Sequence, residues 1–171
     1  MEGKGVAPDQ ITYNAAIKAC GDGGQWELAM ELLREMEGKG VAPNTITYNT
    51  AIKACGDGGQ SKLAMELHRE MEGKGVAPDQ ITYSSAITAC GDGGQWELAL
   101  GLLREMEGKG VTPNTITYSS AIKVCGDGGQ WELAMELLRE MEGKGVAPNK
   151  KTYSSAIKAC RDGRLRRTAV V

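Results

Sequence analysis

The chain has 171 residues, 41% of them hydrophobic, and its 20 basic and 22 acidic side chains leave a formal net charge of −2. This near balance excludes the strongly basic surface that draws a protein to nucleic-acid phosphates, although it leaves open a protein that recognises bases. No apolar run approaches the roughly 18 residues that a membrane span needs, so we expect no membrane partner.

One unit of 35 residues is copied along nearly the whole chain. Its proline recurs at this interval, as Pro8, Pro43, Pro78, Pro113 and Pro148. A fixed period of this length predicts a solenoid, in which each unit buries its apolar face against its neighbours. The period places the tail of a preceding repeat at 1–9, complete repeats at 10–44, 45–79, 80–114 and 115–149, and a partial fifth repeat with a divergent basic C-terminus at 150–171. Because the first residues copy 36–40, we expect the chain to begin within a unit.

Two helices are predicted within the first complete unit. Apolar or small residues recur at helical spacing across Thr12–Cys20, which predicts a short amphipathic helix. The four residues Gly21–Gly24 include three glycines and predict the end of this helix, because glycine disfavours a helix interior. The apolar stripe of Trp26–Met36 predicts a second helix, which the glycines after it and Pro43 are expected to stop.

No strand pattern occurs, so the repeats predict an all-α fold in which nine helices alternate and the first helix of every unit lines the concave side. The fifth unit is expected to hold a lone first helix at Thr152–Cys160. The basic segment 161–167 then stands in place of the turn, and no second helix is expected. Neither end carries a polar capping unit, which predicts self-association through the uncapped ends.

The five cysteines and the single histidine predict neither a disulfide framework nor a metal site. Equivalent cysteines of adjacent units should lie roughly 8–10 Å apart, one helix-packing distance. A disulfide needs Cα atoms closer than about 7 Å, so we expect buried, reduced thiols. His68 has no partner at ligand spacing in the sequence and replaces a leucine of the other units, which favours a core substitution. We expect no metal and no cofactor.

Small polar residues vary in an orderly way around the first helix of each unit. The residue after each tyrosine runs Asn14, Asn49, Ser84, Ser119 and Ser154, and the residue after each proline runs Asp9, Asn44, Asp79, Asn114 and Asn149. The second set has an ordinary interpretation as N-caps. The first set shares a stripe with an isoleucine and a lysine at helical spacing, which predicts a polar ladder along one face of the solenoid. Both interpretations stay open at this point.

The unit resembles a pentatricopeptide repeat of the plain 35-residue type, over almost the whole chain as far as Cys160. The second unit shows the matching segments most clearly: Ile46–Asn49, Ala54–Gly56, Ala64–Leu67, Glu70–Met71 and Gly75–Asp79. The Trp-x-x-Leu-Gly-x-x-Tyr pattern of the related tetratricopeptide repeat is missing. The resemblance implies a right-handed superhelical solenoid of helix-turn-helix repeats.

The resemblance also implies a function, namely sequence-preferring binding of single-stranded RNA at one base per repeat, in RNA processing, stability or translation. Members of the family usually act in mitochondria or chloroplasts, although this sequence shows no targeting segment. Carried over residue by residue, the pairs that recognise bases are Asn14 with Asn44, Asn49 with Asp79, Ser84 with Asn114, and Ser119 with Asn149. The family's pairing rules imply 5′-YUAA-3′, where Y is a pyrimidine and C is favoured over U.

Two further sets of residues follow from the same resemblance. The isoleucines implied to sandwich the bases are Ile11, Ile46, Ile81 and Ile116, and their alternative role is packing at the helix start. The lysines expected to attract the RNA backbone are Lys18, Lys53 and Lys123. They are needed because aspartates occupy the turn position at which family members often carry a lysine: Asp22, Asp57, Asp92 and Asp127. Lys151 replaces the fifth isoleucine.

The alternative function is a solenoid that binds a protein or peptide through the same concave face. An enzyme is disfavoured, and no small-molecule substrate is expected. The chain lacks the His-x-Glu and Cys-x-x-Cys motifs of the family's cytidine-deaminase tail. Its glycine-rich turn also lacks the Lys-Ser/Thr of a phosphate-binding loop.

Overall fold

The computed structural model describes residues 8–91 and 94–168, with side chains as far as Gly163. Regular structure in these ranges is entirely helical, so the predicted all-α solenoid is confirmed. The helices are α1 (Gln10–Asp22), α2 (Trp26–Gly38), α3 (Thr45–Asp57), α4 (Ser61–Gly73), α5 (Gln80–Ala89), α6 (Trp96–Gly108), α7 (Thr115–Asp127), α8 (Trp131–Gly143) and α9 (Lys150–Thr168). In the described part of the chain, none of them is long and apolar enough to cross a bilayer.

The helices form two layers. Each odd-numbered helix packs directly on the next odd-numbered helix, from α1 on α3 through to α7 on α9. Among the described residues, no even-numbered helix lies as close to the next even-numbered one; each packs between its own first helix and the following one. The layer with the closer spacing is the inner layer of a curved stack. The odd-numbered helices therefore line the concave side, as the sequence predicts.

The predicted helix-breaking turn is shorter than expected in three repeats, because α1, α3 and α7 continue through the first glycine of the turn, whereas α5 ends before it. α1 extends through Gly21, and α3 extends through Gly56. A Cβ atom at Gly21 would lie 2.9 Å from the Cβ of Ala54, and one at Gly56 would lie 2.9 Å from the Cβ of Ala89. These glycines are therefore helical residues that let neighbouring first helices touch.

A glycine with positive φ follows the last turn of every complete helix except α5, which ends earlier, at Ala89. Gly24, with φ of 72°, lies two residues after the end of α1, and the Gln25 N–H donates to the carbonyl of Cys20 at 2.8 Å. The second helix is also longer than predicted: it includes Gly38, and Gly40, with φ of 74°, follows its last turn. Both ends satisfy helix carbonyls that would otherwise lack partners.

The fifth unit differs from the sequence-based prediction. We expected a helix at Thr152–Cys160, but α9 continues without a break to Thr168. Arg164 occupies the position of Gly24, and a non-glycine residue disfavours the positive φ that ends the other helices. The exposed Tyr153 and Ile157 show that nothing covers this end of the core among the described residues. Self-association through the ends stays a prediction.

The turn between the helices of a unit is covered by a tryptophan of the preceding unit. A Cβ atom at Gly128 would lie 2.7 Å from Cδ1 of Trp96, so only glycine fits beneath the indole. Trp26 covers Gly58 in the same way. Ser61 replaces the tryptophan in the second repeat, and the glycine that it would face, Gly93, lies outside the described residues. Most of the predicted tail 1–9 also lies outside them.

We expect the cysteine thiols to react with a thiol reagent in two classes. Cys55, Cys90 and Cys125 are buried, and burial raises the pKa of each to about 11, so the reactive thiolate is scarce at neutral pH. Cys20 and Cys160 are half-buried at the ends of the array. Native protein should therefore expose these two to Ellman's reagent and the other three only on unfolding. Reaction of all five at one rate, or intramolecular disulfides, would contradict this prediction.

Candidate functional site

The residue after each proline caps the following first helix. The Asn44 Oδ1 accepts a hydrogen bond from the Thr47 N–H at 3.0 Å, and the Asp79 Oδ1 accepts from the Thr82 N–H at 2.8 Å. The same geometry recurs at Asp9, Asn114 and Asn149. The N-cap interpretation is thus correct. It does not exclude a second role, because capping uses only Oδ1 and leaves the other polar atom of the side chain for a further partner.

A threonine joins each of the four caps after Asp9 to the polar residue of the preceding repeat. The Thr82 hydroxyl lies 2.5 Å from Oδ1 of Asn49 and 3.0 Å from Oδ1 of Asp79, and it accepts from the Asp79 N–H at 3.0 Å. This threonine was not among the site residues predicted from the sequence. Its position three residues after a cap is the signal for a capping box and would have identified it.

The structure brings the members of each predicted pair into one hydrogen-bonded cluster. Two pairs bond directly: Nδ2 of Asn14 donates to Oδ1 of Asn44 at 3.4 Å, and Nδ2 of Asn49 donates to Oδ1 of Asp79 at 3.0 Å. The other two pairs meet through threonine, since Ser84 lies 3.0 Å from Thr117 and Ser119 lies 2.6 Å from Thr152, hydroxyl to hydroxyl. These threonines bond Asn114 and Asn149 in turn.

The polar residues after the tyrosines are more buried than an exposed ladder would be. Asn49, Ser84 and Ser119 expose only 8%, 8% and 3% of their surface, because the next first helix covers them. Burial acts to raise the pKa of Asp79, but hydrogen bonds from Thr82 and Asn49 outweigh it and hold this pKa below its usual value. Asp79 is therefore an ionised acceptor at neutral pH. In each cluster the polar side chains hydrogen-bond to one another across the boundary between two repeats, and one polar edge of the cluster lies on the concave face.

The predicted isoleucines are exposed. Their exposed fractions are 76% for Ile11, 62% for Ile46, 63% for Ile81 and 64% for Ile116. These values exclude the alternative role of packing at the helix start. A groove of about 490 Å³ on the concave face is lined by Ile81, Ile116, Ser84 and Asn114, all of which belong to the predicted third site.

The predicted lysines lie beside the same grooves but are already paired. Lys18 contacts Asp22 at 2.5 Å, and Lys53 contacts Asp57 at 2.6 Å. Lys123 bonds Asp127 at 2.9 Å. The turn aspartates therefore neutralise the lysines, although exposed pairs of this kind contribute little to stability and exchange readily. The remaining aspartate, Asp92, lies outside the described residues.

One sequence-based expectation about His68 is wrong. We expected no neighbour at metal-ligand spacing, but His68 and Glu72 of α4 meet Glu105 of α6, with one potential ligand atom from each within 4.8 Å of the others. The sequence could not show this cluster, because Glu105 comes from the next repeat. The cluster involves the second-helix layer, away from the concave face.

Models of one repeat family match almost the full length of the chain. The model described as the PPR repeat family matches residues 8–57 and 43–92, and a PPR repeat model matches 81–111. The model described as the pentatricopeptide repeat domain matches 102–162. No curated protein matches the chain significantly.

Solved structures show the same architecture. PPR10 in complex with an 18-nt psaJ RNA element superposes with a TM-score of 0.84 at 30% identity, over 98% of this chain and 24% of that chain. PPR10 from maize gives 0.79 at 22% identity, over 99% and 25%. The PPR domain of Arabidopsis thaliana protein-only RNase P 1 in complex with tRNA gives 0.78 at 18% identity, over 92% and 83%. The chain thus spans about a quarter of PPR10.

Proposed function

Because this chain belongs to the pentatricopeptide repeat family, we propose that it is a binding module for single-stranded RNA that takes one base per repeat. The 30% identity to PPR10, whose structure holds an RNA element, supports this proposal. We also propose that the chain has no catalytic activity of its own. Its likeness to RNase P 1 concerns the PPR domain of that protein and extends to the fold alone.

The observation that carries the proposal is the alternation of exposed isoleucines with polar clusters along the concave face. Large apolar side chains left in solvent at a regular interval indicate a binding surface. A base seated between Ile81 and Ile116 would pack its two faces against apolar surface. Its polar edge would then meet the cluster of Ser84 and Asn114. This arrangement suits unpaired bases, since paired bases do not expose both faces and the edge together.

The cap residue supplies the chemical difference between sites. With Oδ1 committed to the cap, asparagine offers the N–H groups of Nδ2, whereas ionised Asp79 offers only an acceptor oxygen. An acceptor suits the imino N–H of uracil, and a donor suits N1 of adenine. This supports U at the Asn49–Asp79 site and A at the two serine–asparagine sites. With a pyrimidine at Asn14–Asn44, the proposed preference is 5′-YUAA-3′.

The proposed backbone contacts are Lys18, Lys53 and Lys123, which would exchange their aspartate partners for phosphates. This exchange gains little net attraction at Lys18 and Lys53, because each leaves its aspartate without the lysine partner, whereas Asp127 keeps a second partner in Lys158. Lys151 also replaces the isoleucine that would close the fourth site. We therefore expect weak binding that strengthens as the salt concentration falls.

Binding of labelled tetranucleotides at low salt, followed by fluorescence anisotropy, tests the proposal. We expect CUAA and UUAA in single-stranded RNA to bind more tightly than the permuted sequence AAUU, and duplex RNA to bind most weakly because its bases are stacked and paired. Equal affinity for all sequences would contradict base recognition. Absence of binding to every RNA by the folded chain would contradict the RNA-binding proposal and favour a protein or peptide partner.

A further inference from the structure

Ion pairs join successive second helices on the side opposite the grooves. At the junction of the first two repeats, Arg34 bonds both carboxylate oxygens of Glu70 at 2.7 Å and Glu37 at 3.0 Å. At the junction of the third and fourth repeats, Arg104 bonds both oxygens of Glu140 at 2.6 Å. A bidentate arginine thus holds the acidic residues together at both junctions.

The junction between the second and third repeats lacks this arginine bridge. The acidic residues equivalent to Glu37 and Glu70 are here Glu72 and Glu105. Among the described residues, Arg69 forms no ion pair with either of them. Lys109 contacts both, at 2.9 Å from Glu105, just as Lys74 and Lys144 contact the acidic residues of the other two junctions beside the arginine.

His68 is the residue that distinguishes this junction. The equivalent positions of the other repeats hold Leu33, Leu103 and Leu138. Only 2% of the His68 surface is exposed to solvent, and its Nε2 has no hydrogen-bond partner in the described structure. A buried ring nitrogen without a partner is costly, so its presence needs a reason.

We propose that His68, Glu72 and Glu105, called here the His68 cluster, form a binding site for a divalent transition-metal ion such as Zn²⁺. One imidazole nitrogen and two carboxylates are ligands that zinc accepts, with water in the fourth position. The three ligand atoms lie within 4.8 Å of one another, and binding would require side-chain rotations that bring them to the roughly 3.4 Å separation of a tetrahedral site.

The surroundings of the cluster favour such an ion. The Tyr83 hydroxyl donates to Glu105 at 3.0 Å and would orient this ligand, as outer-shell partners do in metal sites. In the absence of metal, the Lys109 ammonium balances the two carboxylates, so a bound cation must displace it.

The proposed ion would connect α4 to α6 and so replace the arginine bridge that the other junctions possess. It lies on the outer layer, remote from the proposed RNA grooves. The inference is therefore independent of the proposed function, and RNA binding need not change when the site is filled or removed.

Titration of the full chain with Zn²⁺, followed through the ¹⁵N resonances of the imidazole, tests the proposal. Because the sequence has one histidine, its signals report on this site alone. We expect saturable shifts with one equivalent of Zn²⁺ and a higher melting temperature, since a ligand that binds only the native state stabilises it. His68 signals that do not change under Zn²⁺ would overturn the proposal.

Matched variants separate this site from zinc binding by cysteine. His68→Leu restores the residue of the other repeats, so it should fold and lose the one equivalent of Zn²⁺ together with the rise in melting temperature. Glu105→Gln should weaken binding by more than about tenfold, the loss that even an outer-shell change produces. Lys109→Met should tighten binding, because the competing ammonium is gone. Equal zinc binding by His68→Leu and the parent chain would place the ion on the thiols and overturn the assignment.

Discussion

Changing Ser84 to Asn and Asn114 to Asp should shift the preference at the third nucleotide from A to U. This double change copies the Asn49–Asp79 pair into the third site and replaces the free amide of Asn114 with an acceptor oxygen. By analogy with base-specific contacts elsewhere, we expect a shift of about 1–3 kcal/mol in the relative affinity for UUUA and UUAA. Anisotropy titrations at low salt measure both affinities.

Two comparisons show whether such a shift comes from base recognition. Asp and Asn are near-equivalent N-caps, so α7 should stay intact and circular dichroism should match the parent chain. Asp9→Asn changes a cap that has no preceding tyrosine in the sequence, and it should leave the base preference unaltered. An unchanged ranking of UUUA and UUAA by a folded, binding-competent double variant would show that Ser84 and Asn114 serve the fold alone.

Replacing Gly56 by Ala should destabilise the array despite the higher helix propensity of alanine. Gly56 lies within α3, and an added Cβ would come within 2.9 Å of the Ala89 Cβ and 3.3 Å of its Cα. These are rigid atoms, so the two first helices must separate. Overpacking of this kind costs about 1–3 kcal/mol. Urea denaturation monitored by circular dichroism measures the loss.

The same substitution at Gly101 should have the opposite effect. Gly101 lies in the middle of α6, and a Cβ there meets no atom within 4 Å. Alanine should stabilise this helix by about 1 kcal/mol through propensity. If Gly56→Ala and Gly101→Ala changed stability equally and in the same direction, close packing of the first helices at glycine would be the wrong explanation for Gly56.

The sequence predicts the repeat architecture well, because the signals for it are periodic and local. Prolines, glycine turns and apolar stripes recur at one interval and set the number and order of helices. The exact helix ends were missed where they depend on a neighbour. Gly21 lies within α1 and packs against Ala54, whereas from the sequence it was predicted only to break the helix. The length of α9 depends on the absence of a positive-φ glycine at Arg164, which was visible in the sequence but was not used.

The candidate site was predictable in part, and by resemblance rather than by spacing. The structure brings the proposed pairs together, but their role in binding RNA stays a prediction. The exposure of the isoleucines and the burial of Asn49 could not be derived from the sequence of one helix, since both depend on how the next repeat packs against it. The pairing of lysines with turn aspartates was accessible from their spacing of four residues, yet the two sets were considered separately.

Each polar cluster crosses the boundary between two repeats, so the unit that folds and the proposed unit that recognises a base are out of phase. Asn49 belongs to the second repeat, whereas its partner Thr82 belongs to the third. Exchange of residues 45–79 as one block would therefore move both members of the Asn49–Asp79 pair together. The block would also have to form new threonine contacts with the repeats on both sides of it. The lone helix α9 is needed for the same reason, because its Thr152 completes the cluster that contains Ser119. An array of this type needs one first helix more than its number of complete repeats.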